Sequence, residues 1–303
     1  MQKQVWTINK LLSWAIEFFK SKNIANPRLS AELLLSHTLN LSRIDLYLNH
    51  DYVLKEDELK KYKEYIIKRL NNIPIQYITN QSYFRKLKLF VDERVLIPRP
   101  ETELVVEKAK EIIKTMLEQK KSLNILEIGI GSGAISLSLI TEIKNDIKII
   151  ATEKNPKAIE VAIINSELIL NKDKLSNLAI LNCDVVPEDD KEFDLKYKNN
   201  IDILISNPPY ISNYDFENLD DEIKKYEPKD ALVAGPTGIE AYEKILKKSK
   251  PYLNLNNSFI IFETDQKTSV NLVELCRKYF ENSEVAINKD YNNLDRIVVA
   301  SIK

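Results

Sequence analysis

The sequence predicts an α/β protein in which a small helical domain precedes a mostly parallel sheet covered on both faces. Three observations lead there. Apolar residues recur at helical spacing up to about residue 72. From Pro98 onward, apolar runs alternate with helical or long polar stretches. Three of the five glycines in the chain fall within five positions directly after the first of those runs. A chain of 303 residues, at roughly 150 residues per domain, has room for two domains.

Taken in order, Thr7 can cap a helix whose Leu11, Leu12, Ala15, Phe18 and Phe19 share one face. Asn26-Pro27 reads as a cap followed by proline at the first helical position, opening Ala31, Leu33, Leu34 and Leu35. Ser42 starts a short helix through Leu48, and Glu56–Leu70 sets Leu59, Tyr62, Ile66 and Leu70 on one side. Residues 1–72 are therefore expected to form a helical domain, with His37 as a core residue. The period changes over 73–95. Gln76–Thr79 and Arg85–Val91 alternate, which predicts two short strands around Asn80-Gln81-Ser82 and a β-hairpin linker. Over 96–303 the runs Leu123–Ile128, Ile147–Thr152, Leu178–Cys183 and Ile201–Ser206 are spaced as βαβ units. Phe259–Phe262, Val285–Asn288 and Ile297–Ile302 follow, the last two with no helix between them, so an antiparallel edge is expected.

Composition removes several classes of function. Hydrophobic residues at 44% and charged residues at 29% exclude a disordered or membrane-spanning chain. Lys+Arg 44 against Asp+Glu 45 leaves no global attraction to nucleic acid, but the split is uneven. Residues 1–90 hold 15 Lys/Arg and 8 Asp/Glu, and residues 91–303 hold 29 and 37, so the front is basic and the back acidic. Cys183 and Cys276 cannot build a disulfide framework or a cysteine metal site. His37 and His50, the two histidines, lie far upstream of the later motifs, so no metal is expected and the chemistry must run on carboxylates, amides, backbone groups or a cofactor. Leu11–Phe19 is interrupted by Glu17 and lacks a cleavage site, so no secretory signal is read and the cytoplasm is the expected compartment.

After the first sheet strand comes Glu127-Ile128-Gly129-Ile130-Gly131-Ser132-Gly133-Ala134, then a helix. Glycines permit a tight turn and let a ligand approach the backbone, while the helix start offers unpaired N–H groups. Gly129-x-Gly131-x-x-Ala134 also satisfies the dinucleotide fingerprint, and Glu153, placed to hold ribose hydroxyls, fits either ligand. Glu127 tilts the choice: a carboxylate just before the turn suits a cationic ammonium, or orients the loop, better than it suits a pyrophosphate. Asp184, ending the third strand, can accept from an adenine amine or simply cap the strand.

The fourth strand runs into Asn207-Pro208-Pro209-Tyr210. Ligands of open α/β sheets bind beyond the carboxyl ends of the strands, so these residues face the same crevice. The prolines fix φ and remove donors, which leaves the Asn207 carbonyl and the Pro208 backbone C=O as rigid acceptors. Two convergent acceptors suit a planar NH2 group, whose delocalised lone pair makes it a poor nucleophile. Accepting both hydrogens out of plane localises that lone pair towards an electrophilic methyl, and Tyr210 can stack on or wall the planar group.

Together Glu127–Gly133, Glu153, Asp184 and Asn207–Tyr210 resemble the S-adenosylmethionine-dependent N-methyltransferases acting on sp² nitrogen. Their targets include adenine N6, guanine N2 and protein glutamine N5. Leu96-Ile97-Pro98-Arg99-Pro100-Glu101-Thr102-Glu103 resembles the junction signature of bacterial peptide chain release factor glutamine methyltransferases, the PrmC/HemK family. Pro74–Ile78, Glu227-Pro228 with Ala231-Leu232, Gly235 with Gly238, and Asp295-Arg296 match that family too. The resemblance implies a Rossmann-like class I methyltransferase domain over 96–303, and a substrate-docking role for the helical domain. It further implies S-adenosyl-L-methionine as cofactor, held by Glu127, Gly129, Ile130, Gly131, Ser132, Gly133, Glu153, Asp184, Val185 and Asn207. Asn207, Pro208, Pro209 and Tyr210 would be catalytic, and with Arg99 and Glu101 would contact substrate. The implied reaction methylates the amide N5 of the glutamine in the Gly-Gly-Gln motif of class 1 release factors. A nucleic-acid base or a ribosomal-protein glutamine is the alternative target, although no direct nucleic-acid substrate, no membrane partner and a monomer are expected. Asn80 and Asn293 stand where the family usually has glycine, as does Thr264 or Asp265; asparagine tolerates positive φ, so the turns at 80 and 293 are expected to survive. Val185 stands where many members carry a larger side chain against the adenine.

Overall fold

The computed structural model describes residues 5–144 and 146–303. Contacts within the chain divide it into two compact units. The first comprises residues 1–81 with 220–226, and the second comprises 82–219 with 227–303.

Unit 1 is helical. Thr7 accepts from the Lys10 N–H and starts Ile8–Ser21, which buries Ile8, Leu11, Leu12, Ala15 and Phe19. That spacing of three, four and seven makes one apolar stripe, and burial stabilises each large side chain by roughly 1.5–3 kcal/mol. Pro27–Leu39 has its proline at the first position, as expected. Ser42 and Asp45 form a reciprocal capping box on Arg43–Leu48. Glu56–Leu70 buries Tyr62, Ile66 and Arg69. The buried Arg69 guanidinium donates to Ile73 O at 3.0 Å and to Glu222 Oε2 at 2.8 Å, so a carboxylate from 153 residues downstream neutralises it. Tyr226 adds a hydroxyl bond to Asn71 O at 2.6 Å.

The predicted strand Gln76–Thr79 is a correction: Ile75–Thr79 is helical, behind Pro74 at φ −53°. Four alternating residues fit one helical turn as well as a strand, and burial of Tyr77, Ile78 and Thr79 selects the turn. Asn80 ends it at φ 52°. The hairpin lies one step later, with β1 (Ser82–Phe84) against β2 (Leu87–Leu89), and it groups with unit 2.

Unit 2 is built on β3 (Ser122–Ile128), β4 (Asp146–Glu153), β5 (Leu178–Asn182) and β6 (Ile203–Ser206). A short parallel pair follows, β7 (Ile211–Ser212) with β8 (Val233–Gly235). Strands β9 (Ser258–Glu263), β10 (Glu284–Lys289) and β11 (Asp295–Ile302) complete the main sheet. Its order is β10-β11-β9-β6-β3-β4-β5. Pairing is parallel from β9 to β5, and β11 runs antiparallel to both β9 and β10. Near-continuous Ile, Leu and Val runs are what a sheet buried on both faces needs. The central strand β3 sits between β6 and β4, so the connections leave in opposite directions from its carboxyl end and open a crevice there.

Candidate active site

The glycine loop begins where β3 stops. Gly129 and Ile130 N–H groups both donate to Thr152 O, at 2.8 and 3.1 Å, which fastens the loop to β4. The Gly131 N–H donates to Glu153 Oε2 at 3.2 Å, and the Asn155 N–H to Glu153 Oε1 at 3.0 Å. Gly129 and Gly131 have φ of +78° and +52°, and a Cβ on either would meet nothing within 4 Å. Backbone conformation and an open approach, rather than protein packing, require glycine at both. Gly133, at φ +85°, is different: it precedes the helix Ala134–Glu142, and a Cβ there would lie 2.9 Å from Leu137 Cδ1. It is absent from the crevice wall, which Ile130 and Ser132 do line. One support escaped the sequence reading. The fully buried Asn165 donates to Ser132 O at 2.8 Å and Phe90 O at 2.9 Å, and accepts from Phe90 N at 2.7 Å. Its signal was an amide on the apolar face of Pro156–Ile169, where only a paired polar group is stable.

Acids line the crevice at strand ends. Glu127 is 2% exposed and bonded by the Ser136 hydroxyl. Burial pushes its carboxyl up to about 8, Ser136 pulls the other way, and the charge on Glu153 adds to the rise. Below about 8 this carboxyl keeps its proton, and a cation brought against it would favour the ionised form. Asp184 and Val185 line the same cavity beyond β5. Asp184 is ion-paired with Lys244 and lies 3.8 Å from Lys248 Nζ, a charge that no sequence motif flagged. Val185 is at φ +78°, and its carbonyl accepts from Thr152 Oγ1 at 2.8 Å. That conformation costs a β-branched residue about 1–3 kcal/mol. The crevice holds about 330 Å³. Open space over two positive-φ glycines, a proton-retaining acid and strand-end acids fit a cationic amino-acid nucleoside such as S-adenosylmethionine.

Beside it, Ser206 Oγ donates to Ile128 O at 2.7 Å and locks β6 to β3. Asn207, Pro208 and Pro209 line the crevice. Asn207 Nδ2 donates to Thr102 Oγ1 at 3.2 Å, which leaves Oδ1 as the open branch of the carboxamide. Tyr210 does not line the crevice, contrary to the expected stacking role. Its ring packs on the sheet core and its hydroxyl lies 3.5 Å from Glu263 Oε1. The chain turns there because Ile211 N–H is taken by Leu232 O at 3.0 Å and Gly238 sits against the Tyr210 carbonyl. Arg99 lines the crevice but is paired, donating to Glu227 Oε1 at 2.5 Å while Glu227 Oε2 accepts from Ile97 N. Glu101 lies outside the wall, 4.0 Å from Arg296 Nη2. No group of His, Cys, Asp and Glu suited to a metal occurs among the described residues, and no helix among them is long and apolar enough to cross a membrane.

Two family models match the chain: "PrmC N-terminal domain" over residues 10–79 and "Methyltransferase small domain" over 103–223. A release factor glutamine methyltransferase of Chlorobaculum tepidum is 37% identical over 298 residues, covering 97% of each chain. Another of that name, from Rhodopirellula baltica, is 34% identical, covering 97% of this chain and 95% of its own. Among solved structures, the hMettl16 catalytic domain in complex with MAT2A 3'UTR hairpin 6 superposes with a TM-score of 0.52 at 14% identity. It covers 84% of this chain and 85% of that one; this likeness is one of fold alone.

Proposed function

The chain belongs to the release factor glutamine methyltransferase family, and from that premise we propose how its crevice methylates an amide nitrogen. The substrate is the glutamine of the Gly-Gly-Gln motif in class 1 release factors, and the methyl donor is S-adenosyl-L-methionine. When bound, the cofactor supplies a methyl group activated by a sulfonium. Gly129, Gly131 and Ser132 form its backbone cradle, Glu127 faces its cationic end, and Glu153 and Asp184 take the ribose and adenine, with Val185 against the base.

The observation that carries the reading is the state of Asn207. Its Nδ2 is spent on Thr102, so the oxygen is what it offers to the crevice. Asn207 Oδ1 and the Pro208 carbonyl accept the two amide hydrogens. Pro208 and Pro209 contribute no competing donors and hold φ fixed. An amide lone pair is delocalised into its carbonyl; gripping both hydrogens out of plane returns electron density to nitrogen at the moment of attack. Acceptors already fixed in place need no reorganisation, which is where such sites gain most. The nitrogen that gains the methyl group gives up one of its two hydrogens as a proton to water, and no histidine lines the crevice among the described residues.

One glutamine side chain offers little contact area, so recognition requires a remote surface. Unit 1 is suited to supply it. Its residues carry 14 Lys/Arg against 11 Asp/Glu, and the helix Arg43–Leu48 exposes Ile44, Tyr47 and Leu48. A monomer acting in the cytoplasm fits a substrate that works on the ribosome. Incubation with labelled cofactor and release factor, ribosomal protein or nucleic acid, followed by mass spectrometry, tests the reading. Label on the release-factor glutamine is expected, and label on nucleic acid alone overturns it. Asn207→Ala should lower the single-turnover rate about 10²–10³-fold with cofactor affinity retained; a near-normal rate removes the role given to Asn207.

A further inference from the structure

The glycine loop must show its backbone to a cofactor in one conformation, and its two ends are fixed by different parts of the fold. At the entry, the Gly129 and Ile130 N–H groups donate to Thr152 O of β4. At the exit, the Ser132 carbonyl accepts from Asn165 Nδ2 at 2.8 Å. The planar peptide unit that carries this carbonyl also carries the Gly133 N–H, which donates to Ile130 O at 2.8 Å. That unit is therefore held on both edges, by the loop's own backbone on one and by Asn165 on the other. The remaining bonds of Asn165 go to a different segment. Its Nδ2 also donates to Phe90 O at 2.9 Å, and its Oδ1 accepts from Phe90 N at 2.7 Å. A carboxamide has two hydrogens to give, and here both are spent. Each partner is a backbone group of one polarity, so the side chain fits only this way round. Phe90 follows β2 and opens the stretch whose Arg94, Val95, Leu96, Pro98 and Arg99 line the crevice, although Phe90 itself does not. All of these residues belong to unit 2. Asn165 is 0% exposed, a place where leucine would satisfy burial alone; what the amide adds is direction.

We propose that Asn165 is a positioning residue for the cofactor: its one carboxamide ties the exit of the glycine loop to the segment 90–99, so that the cradle and this part of the crevice wall keep a single spacing. Asn165 does not itself line the crevice. Because the two backbone segments share one side chain, their order is linked. Whatever fixes Ser132 is felt at Phe90, and the coupling is equal in the reverse direction.

This inference rests on S-adenosylmethionine being the ligand of the crevice, and the experiment separates the two. Cofactor Kd by titration calorimetry, amide hydrogen exchange with and without cofactor, and thermal midpoint are measured for the parent, Asn165→Asp, Asn165→Leu and Asn293→Ala, at a temperature where all are folded. Asn165→Asp keeps the shape and the acceptor for the Phe90 N–H but can give at most one hydrogen, and Asn165→Leu makes none of the three bonds. Both should weaken cofactor binding at least about tenfold. Asn293→Ala, in the turn between β10 and β11, should lose stability and keep its Kd within about twofold. In the parent, bound cofactor should slow exchange of the Phe90 amide by at least about tenfold more than it slows the amides of β10, a strand that contributes nothing to the crevice wall. In Asn165→Leu that excess should vanish. A parent that binds no S-adenosylmethionine would sink the proposed function. With a parent that binds, three results overturn the inference: Asn165→Asp within about threefold of the parent Kd, Asn293→Ala weakened as much as the Asn165 variants at an equal loss of midpoint, or a Phe90 amide slowed no more than those of β10. If neither Asn165 variant folds, the exchange comparison in the parent decides alone.

Discussion

Gly238 is where the glycine economy of this chain meets the catalytic segment, and Gly238→Ala should show it. A Cβ at that position would lie 2.6 Å from the Tyr210 carbonyl oxygen and 3.1 Å from Thr268 Cγ2. Real Cβ atoms essentially never approach below 3.0 Å, so the residue is pinched, and relief on one side tightens the other. The oxygen is backbone and cannot rotate away. Moving it means moving the segment that ends in Asn207–Tyr210 by several tenths of an ångström. Misplacement by 1 Å costs about 10²-fold in rate, so kcat should fall roughly 10–100-fold. The φ of +87° adds backbone strain, for a stability loss of about 1–3 kcal/mol. The assay pairs steady-state methylation with urea unfolding. Asn293→Ala is the control, because it carries the same left-handed strain at φ +61° in the turn between β10 and β11. It should lose stability while its kcat stays within a factor of two. A Gly238→Ala enzyme that is destabilised yet turns over within threefold of the parent would refute the claim that this contact places the catalytic segment.

Glu127 makes both stability and cofactor affinity depend on pH. Its carboxyl is pushed up to about 8 by burial, so between its unfolded value and about 8 the folded state binds a proton that the unfolded state has released. Its contribution to stability is full at acid pH and is lost as pH rises through about 8, and Glu127→Gln should flatten that slope in unfolding curves. A cationic ligand favours the ionised form, so binding near pH 7 should release a proton. Titration calorimetry in buffers of differing ionisation enthalpy should count fewer released protons for Glu127→Gln, and equal counts would contradict the role. Asn80→Ala and Asn293→Ala should each cost about 1–2 kcal/mol in chemical denaturation, whereas changes to glycine should be nearly neutral because both positions lie at positive φ. Val185→Leu removes branching at a φ of +78° and adds one methylene beside the base, worth about 0.8 kcal/mol. Cofactor Kd should tighten roughly fourfold, and an unchanged Kd would show that Val185 does not pack there.

The strands of the main sheet were legible because burial on both faces leaves unbroken apolar runs, and each expected run contains or borders an observed strand. The glycine loop and Asn207 were legible because positive φ and a proline pair leave marks that only certain residues can make. What escaped was set by distance along the chain. Thr102 and Asn207 lie 105 positions apart, and only the fold brings the start of the helix Thr102–Leu117 against the end of β6. Tyr210 was misread because the Asn-Pro-Pro-Tyr pattern fixes backbone direction but not where a ring finds apolar cover. The helix Ile75–Thr79 was misread because five residues are too few for periodicity to separate a turn from a strand.

The Glu222 carboxylate against Arg69 has a practical corollary for anyone dissecting the protein. A fragment cut after residue 81 would retain all four long or capped helices and still strand a guanidinium in an apolar pocket without its counter-charge, at a cost that can reach about 3–5 kcal/mol. The first 81 residues are thus contiguous in sequence without being self-sufficient in electrostatics, and an isolated piece would need residues 220–226 grafted back, or Arg69 replaced, before it could stand alone.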